Sequence, residues 1–224
     1  MTARERRIQP VTLPPRGSEG TVGLPGGTAR GIVLFAHGSG SSRLSPRNTY
    51  VADALEQSGF ATLLFDLLTE DEAADRSNVF DIKLLAGRLS EAADWIGSCE
   101  AVSGLPLGLF GASTGAAAAL VATGMRSDIR AVVSRGGRPD LAGDALELVS
   151  APTLLIVGGH DQQVLELNPA AYHRLRCERR LEVVPGATHL FEEPGTLATV
   201  VALARAWFLD HLTTPPAGID HAVR

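Results

Sequence analysis

Apolar positions in this 224-residue chain fall into short continuous runs separated by stretches with helical spacing. The runs are residues 31–36, 60–65, 105–110, 129–134, 153–157 and 181–184, each followed within two residues by a glycine or an aspartate. Their length and their closing residues predict buried strands. Helical spacing recurs between them. Residues 48–58 carry Val51, Ala54 and Leu55 on one side and stop at Gly59, a residue suited to ending a helix. Residues 79–96 read as one long helix with a stripe of Ile82, Leu85, Leu89, Ala92 and Ile96. Further helices are expected over 113–123, 140–148, 170–175 and about 196–210.

Strand and helix alternating through short connections implies βαβ units. The expected fold is therefore α/β: a mostly parallel, doubly wound sheet flanked by helices on both faces. Strands covered on both faces should be nearly all apolar, and these are rich in Val and Leu. Residues 8–13 and 21–23 suggest an antiparallel hairpin at one edge. A single domain over 1–212 is expected, with 213–224 as a flexible C-terminal tail. In such sheets ligands bind beyond the carboxyl ends of the strands. The residues to inspect are thus 37–40, Asp66, 111–115, 135–138, 158–161 and 186–189.

Charge narrows the partners. A formal net charge of −5 and a pI near 5.7 argue against nucleic acid. The basic cluster at residues 4–7 reads as a solvated end. No apolar run approaches the roughly 18 residues of a membrane span, and the N-terminus has no signal-peptide core, so a cytoplasmic protein is expected. Cys99 and Cys177 are then expected as free thiols. The pattern gives no sign of an oligomer interface.

Gly111-Ala112-Ser113-Thr114-Gly115 has the form Gly-x-Ser-x-Gly. Alone the motif is weak, but here it follows a strand and opens a helix, the setting of a nucleophile elbow. Its glycines are expected because a Cβ at either would clash where strand and helix meet. The competing reading is a Gly-rich turn cradling phosphate, and it lacks the lysine of a P-loop.

A serine needs a base, usually a histidine oriented by a carboxylate. With the order Ser, acid, His, the base is expected at His189, which follows the last strand in the loop 185–189. Asp161, after the strand 153–157, is the expected acid, with Asp140 and Asp144 in reserve. The oxyanion donors are expected at the backbone N–H groups of Thr114 and Ser39. His37 is expected to brace its loop. A metal site from His37, His160 and Asp161 fits no familiar ligand spacing, so no metal or cofactor is expected. Asp66 ends a strand and suits a structural or substrate-side role; Arg135 and Arg138 follow a strand and could meet an anionic substrate group, although solvated arginines are the commoner reading of such positions.

Segments 37–42, 111–115, 151–161 and 185–194 together resemble the dienelactone hydrolase-like branch of the α/β-hydrolase superfamily. The resemblance covers about residues 31–210. It implies Ser113, Asp161 and His189 as a triad, with Ser39 and Thr114 as oxyanion donors. Dienelactone hydrolases carry a cysteine nucleophile where this chain has Ser113, so a general carboxylesterase is the better expectation. About 18 residues separate Ser134 from Thr153, too few for a cap domain. An exposed, shallow site for small esters follows. Thioesters, amides or perhydrolysis are rival reactions on the same residues, and a non-catalytic ligand-binding module is the rival from another class.

Overall fold

The computed structural model describes residues 5–212. Strands β1 (Arg7–Leu13) and β2 (Ser18–Leu24) form the antiparallel hairpin, and β2 continues antiparallel onto β4 (Ala61–Phe65). The remaining strands are β3 (Ile32–Ala36), β5 (Leu107–Ala112), β6 (Ile129–Arg135), β7 (Thr153–Gly158) and β8 (Arg179–Val184), all parallel with β4. The eight-stranded order is β1-β2-β4-β3-β5-β6-β7-β8. From β5 onward, sequence order and spatial order coincide, so the ends of β5 to β8 lie side by side along one rim.

Helices α1 (Pro46–Gln57) and α7 (Thr196–Leu212) cover one face. There Val51, Leu55, Trp207 and Phe208 pack on Val33, Phe35 and Phe110. Helices α4 (Ile82–Ser98) and α5 (Thr114–Met125) cover the other with Leu85, Leu89, Ile96 and Leu120 on Leu34, Leu63 and Leu109. Burial on both faces explains the unbroken apolar runs, since each strand side chain meets a helix whichever way it points. A fully buried Leu or Phe contributes about 1.5–3 kcal/mol.

Several boundaries differ from the sequence reading. The expected long helix over 79–96 is broken: α3 (Arg76–Phe80) ends at Asp81, whose side chain caps α4 by accepting from the Leu84 N–H at 2.9 Å. A short helix α2 (Glu70–Ala74) precedes it, closed by a capping box between Thr69 and Glu72. Helix α6 (Gln162–Arg174) begins eight residues before the expected start at 170 and carries Pro169 inside it. Residues Pro139–Leu148 form a 3-10 helix kinked at Gly143, where φ is 54°. That segment fills the connection from β6 to β7, and no cap domain intervenes. Arg6 of the basic cluster is not simply solvated: its Nε lies 2.6 Å from Glu56 Oε2, which is buried. The tail expected at 213–224 lies outside the described residues. Among the described residues no helix is long and apolar enough to cross a membrane.

Candidate active site

Strand β5 delivers Ser113 onto a corner with φ 53° and ψ −122°, a conformation L residues rarely adopt. Holding a non-glycine residue there costs roughly 1–3 kcal/mol. The elbow is fixed from both sides. The Ser113 N–H donates to Arg135 O at 3.2 Å, and the Arg138 N–H donates to Ser113 O at 3.1 Å. A Cβ at Gly111 would stand 2.4 Å from Ala116 Cα, and one at Gly115 would stand 2.3 Å from Ala36 O. The glycines are therefore required by backbone contact, as the motif's geometry suggests.

Three side chains from three strand ends meet above this corner. His189 Nε2 lies 3.3 Å from Ser113 Oγ, and His189 Nδ1 lies 2.6 Å from Asp161 Oδ2. Asp161 is largely buried at the start of α6, its N–H donating to Gly158 O at 3.1 Å. The His189 loop is tied down on both flanks. Phe191 is buried beneath it with φ 56°, and Glu193 accepts from the Thr188 N–H at 3.1 Å and hydroxyl at 2.6 Å. The Thr188 hydroxyl, together with backbone donors, holds the Glu193 carboxyl below the usual range. The reserve acids lie elsewhere: Asp140 binds the Arg138 guanidinium at 2.8 and 2.9 Å, and Asp144 pairs with Arg174.

The two expected oxyanion donors differ in their engagement. Among the described residues nothing accepts from the Thr114 N–H, whereas the Ser39 N–H donates to Thr114 Oγ1 at 2.8 Å. His37 braces the loop behind them. Its Nδ1 lies 3.0 Å from Gly38 O and its Nε2 accepts from the Leu67 N–H at 3.1 Å, so Nδ1 carries the proton. Burial lowers the His37 pKa, with Gly38 O and Asp66 opposing it.

A cavity of about 370 Å³ opens over Ser113 and His189, lined also by Ser45, Arg47, Asn48 and Arg135. Of the three substrate-side candidates only Arg135 reaches it. The Arg138 guanidinium is held by Asp140, and Asp66 accepts from the Arg43 N–H at 2.8 Å and from its guanidinium. Asp66 lines a larger cavity of about 670 Å³ with Leu67, Leu68 and Val79, and residues 38–41 line both cavities. Arg135 is only 6% exposed and makes no ion pair with any described residue. Its Nη2 lies 3.3 Å from Asn48 Oδ1, and its Cζ stands 5.9 Å from the Phe191 ring centroid. Burial and then the nearby Arg47 guanidinium push its pKa down to about 10, so it remains a cation at neutral pH. Arg47 and Asn48 were not singled out in the sequence, because only packing decides which face of α1 meets the site. Among the described residues no cluster of His, Cys, Asp and Glu could hold a metal ion.

No protein-family model matches the chain. Two Mycobacterium tuberculosis proteins, from strains CDC 1551 and H37Rv, are 63% identical over 191 residues and bear a provisional phosphoribosyl transferase name. The match takes in 84% of this chain but only 43% of theirs, so the chain spans under half the length of these curated relatives. Among solved structures, a dienelactone hydrolase from Anabaena variabilis is 50% identical, with a TM-score of 0.88 over 94% of this chain and 100% of that one. Est1E from Butyrivibrio proteoclasticus (16% identical, TM-score 0.75, 90% of this chain and 98% of that one) shares the fold. So does the esterase domain of a Rhodothermus marinus protein (19%, TM-score 0.72, 92% and 99%). Full-length coverage at half identity, on the same eight-stranded frame, places the chain in the dienelactone hydrolase-like branch of the α/β-hydrolase superfamily.

Proposed function

We propose that the chain is a serine hydrolase that cleaves small carboxylic esters through an acyl-enzyme. The observation that carries this reading is the continuous contact from Asp161 Oδ2 through the His189 ring to Ser113 Oγ, at 2.6 and 3.3 Å. Asp161 accepts from Nδ1–H, which leaves Nε2 as the lone-pair nitrogen facing the serine hydroxyl. His189 then takes the Ser113 proton as Oγ attacks the ester carbonyl. The Thr114 N–H, and the Ser39 N–H released from the Thr114 hydroxyl, are the donors for the oxyanion. Collapse expels the alcohol, which receives the proton from His189. Water, deprotonated by His189, then attacks the acyl-enzyme and frees the acid and Ser113.

The short β6–β7 connection supports an open site and small esters. Thioester, amide or peracid chemistry would use the same atoms, and a panel of nitrophenyl esters, acyl thioesters and anilides separates them. Phosphoribosyl transfer is not assigned to this chain, since that name belongs to relatives most of whose length lies outside the match. The test is labelling by a fluorophosphonate probe: wild-type protein is labelled and Ser113→Ala is not. A folded wild-type protein that resists labelling would favour a ligand-binding module instead.

A further inference from the structure

The mechanism uses Ser113, His189 and Asp161 but leaves a buried cation in their cavity without a role. Arg135 has 6% exposure, no acidic partner among the described residues, and an Nε with no hydrogen-bond acceptor. Leaving such a group unpaired is costly, so its retention beside a reactive serine asks for an anion that arrives with the substrate. Arg47 lines the same cavity, and its Nε is likewise buried without an acceptor. Its Nη1 is 3.0 Å from Glu192 Oε1, a carboxylate whose side chain is 62% exposed. The first turn of α1, a 12-residue helix, also enters the cavity through Ser45, Arg47 and Asn48. In that turn Pro46 has no N–H and the Asn48 N–H is taken by Ser45 Oγ, while the Arg47 N–H meets no acceptor among the described residues.

From these donors we infer that the Ser113 site takes an ester that also carries a phosphomonoester group, bound between Arg135, Arg47 and the first turn of α1. The inference rests on the serine hydrolase reading above and names its substrate class. Charge decides between phosphate and carboxylate. Counted over the cradle alone, with Asp161 left to the His189 ring, two guanidiniums against the carboxylate of Glu192 and about half a charge from the helix end leave an excess of about 1.5 positive charges. A phosphomonoester brings about 1.5 to 2 negative charges at neutral pH, and a carboxylate brings one. Geometry points the same way. Donors reach the cavity from the end of β6 and from the first turn of α1, there through both the Arg47 guanidinium and its backbone N–H, more donors than two carboxylate oxygens need. A single guanidinium fork would suffice for a carboxylate. The cavity of about 370 Å³ holds both the serine and this cradle, so ester and phosphate must be a few bonds apart, as in a small phosphorylated polyol acylated on a neighbouring hydroxyl.

Inorganic phosphate is the probe. It should saturate one site on the wild-type protein by titration calorimetry and compete with nitrophenyl acetate. Binding should weaken at least ten-fold in Arg47→Gln and in Arg135→Gln, and succinate should bind at least ten-fold more weakly than phosphate. Should Arg135→Gln fail to fold, Arg47→Gln, at a half-exposed position, carries the test. Unchanged phosphate binding in folded Arg47→Gln, no saturable binding by wild type, or succinate binding as tightly as phosphate each overturns the inference. Fluorophosphonate labelling of the same preparation separates the two readings. Labelled protein that ignores phosphate overturns the phosphate cradle alone, and unlabelled protein that binds phosphate overturns the hydrolase reading instead.

Discussion

The backbone N–H of Ser39 and the hydroxyl of Thr114 meet at 2.8 Å, joining the loop after β3 to the residue that follows Ser113. One hydrogen bond thus holds a proposed oxyanion donor in place before substrate arrives. In the proposed reaction the same N–H turns to the developing oxyanion. Thr114→Ala removes the tether and is expected to lower kcat by about ten-fold or more with little change in KM, because misplacing one such donor forfeits part of about 3 kcal/mol. Thr114→Ser should restore most of the loss. Steady-state kinetics on a neutral nitrophenyl ester reads both.

In the proposed mechanism Asp161, 2.6 Å from His189 Nδ1, holds the imidazole in the tautomer that leaves Nε2 free for Ser113. Asp161→Asn should keep the fold yet lower kcat by about 10⁴, since an amide in that position favours the other tautomer. A variant with near wild-type turnover would remove Asp161 from the mechanism and return attention to the acids after β6.

Gly115 stands where an added Cβ would come within 2.3 Å of Ala36 O and 2.4 Å of His37 O. Neither is the far end of a flexible side chain, so the backbone must shift. Gly115→Ala is expected to destabilise the protein by about 1–3 kcal/mol and to displace the loop that bears Ser39. Denaturant unfolding and ester kinetics should both register the change.

His37 gives a pH signature. Burial lowers its folded-state pKa below the unfolded value near 6.5. Above that value both states are neutral at this residue and it adds no pH dependence. As pH falls below about 6.5 the unfolded chain takes up the proton first, so stability drops until the lower folded pKa is passed. The melting temperature should fall between pH 7 and 5 in wild type, and less steeply in a folded His37→Gln.

Much of this arrangement is legible in the chain itself, for a physical reason. Strands buried on both faces must be apolar throughout, and the residues that follow them are then the exceptions, so Ser113, Asp161 and His189 stand out after β5, β7 and β8. Less legible was what depends on local capping. The Thr69-x-x-Glu72 capping box marks the start of α2, and Asp81 marks the start of α4, but the apolar stripe across 79–96 outweighed that polar signal. Helix α6 starts well before the expected 170 and runs through Pro169, and the turn before that proline is stabilised by Asn168, whose Nδ2 donates to Val164 O at 2.8 Å. Arg135 could be placed at a strand end. Its lack of an acidic partner among the described residues, and the presence of Arg47 beside it, depend on how α1 packs and have no counterpart in the linear pattern.

The bent backbone at residue 113 has one more consequence. A glycine would accept φ 53° without the steric penalty that serine bears. Ser113→Gly should therefore survive denaturant better than its parent while hydrolysing nothing, and the gap in unfolding free energy between the two would measure how much robustness the chain gives up to keep a hydroxyl at that corner.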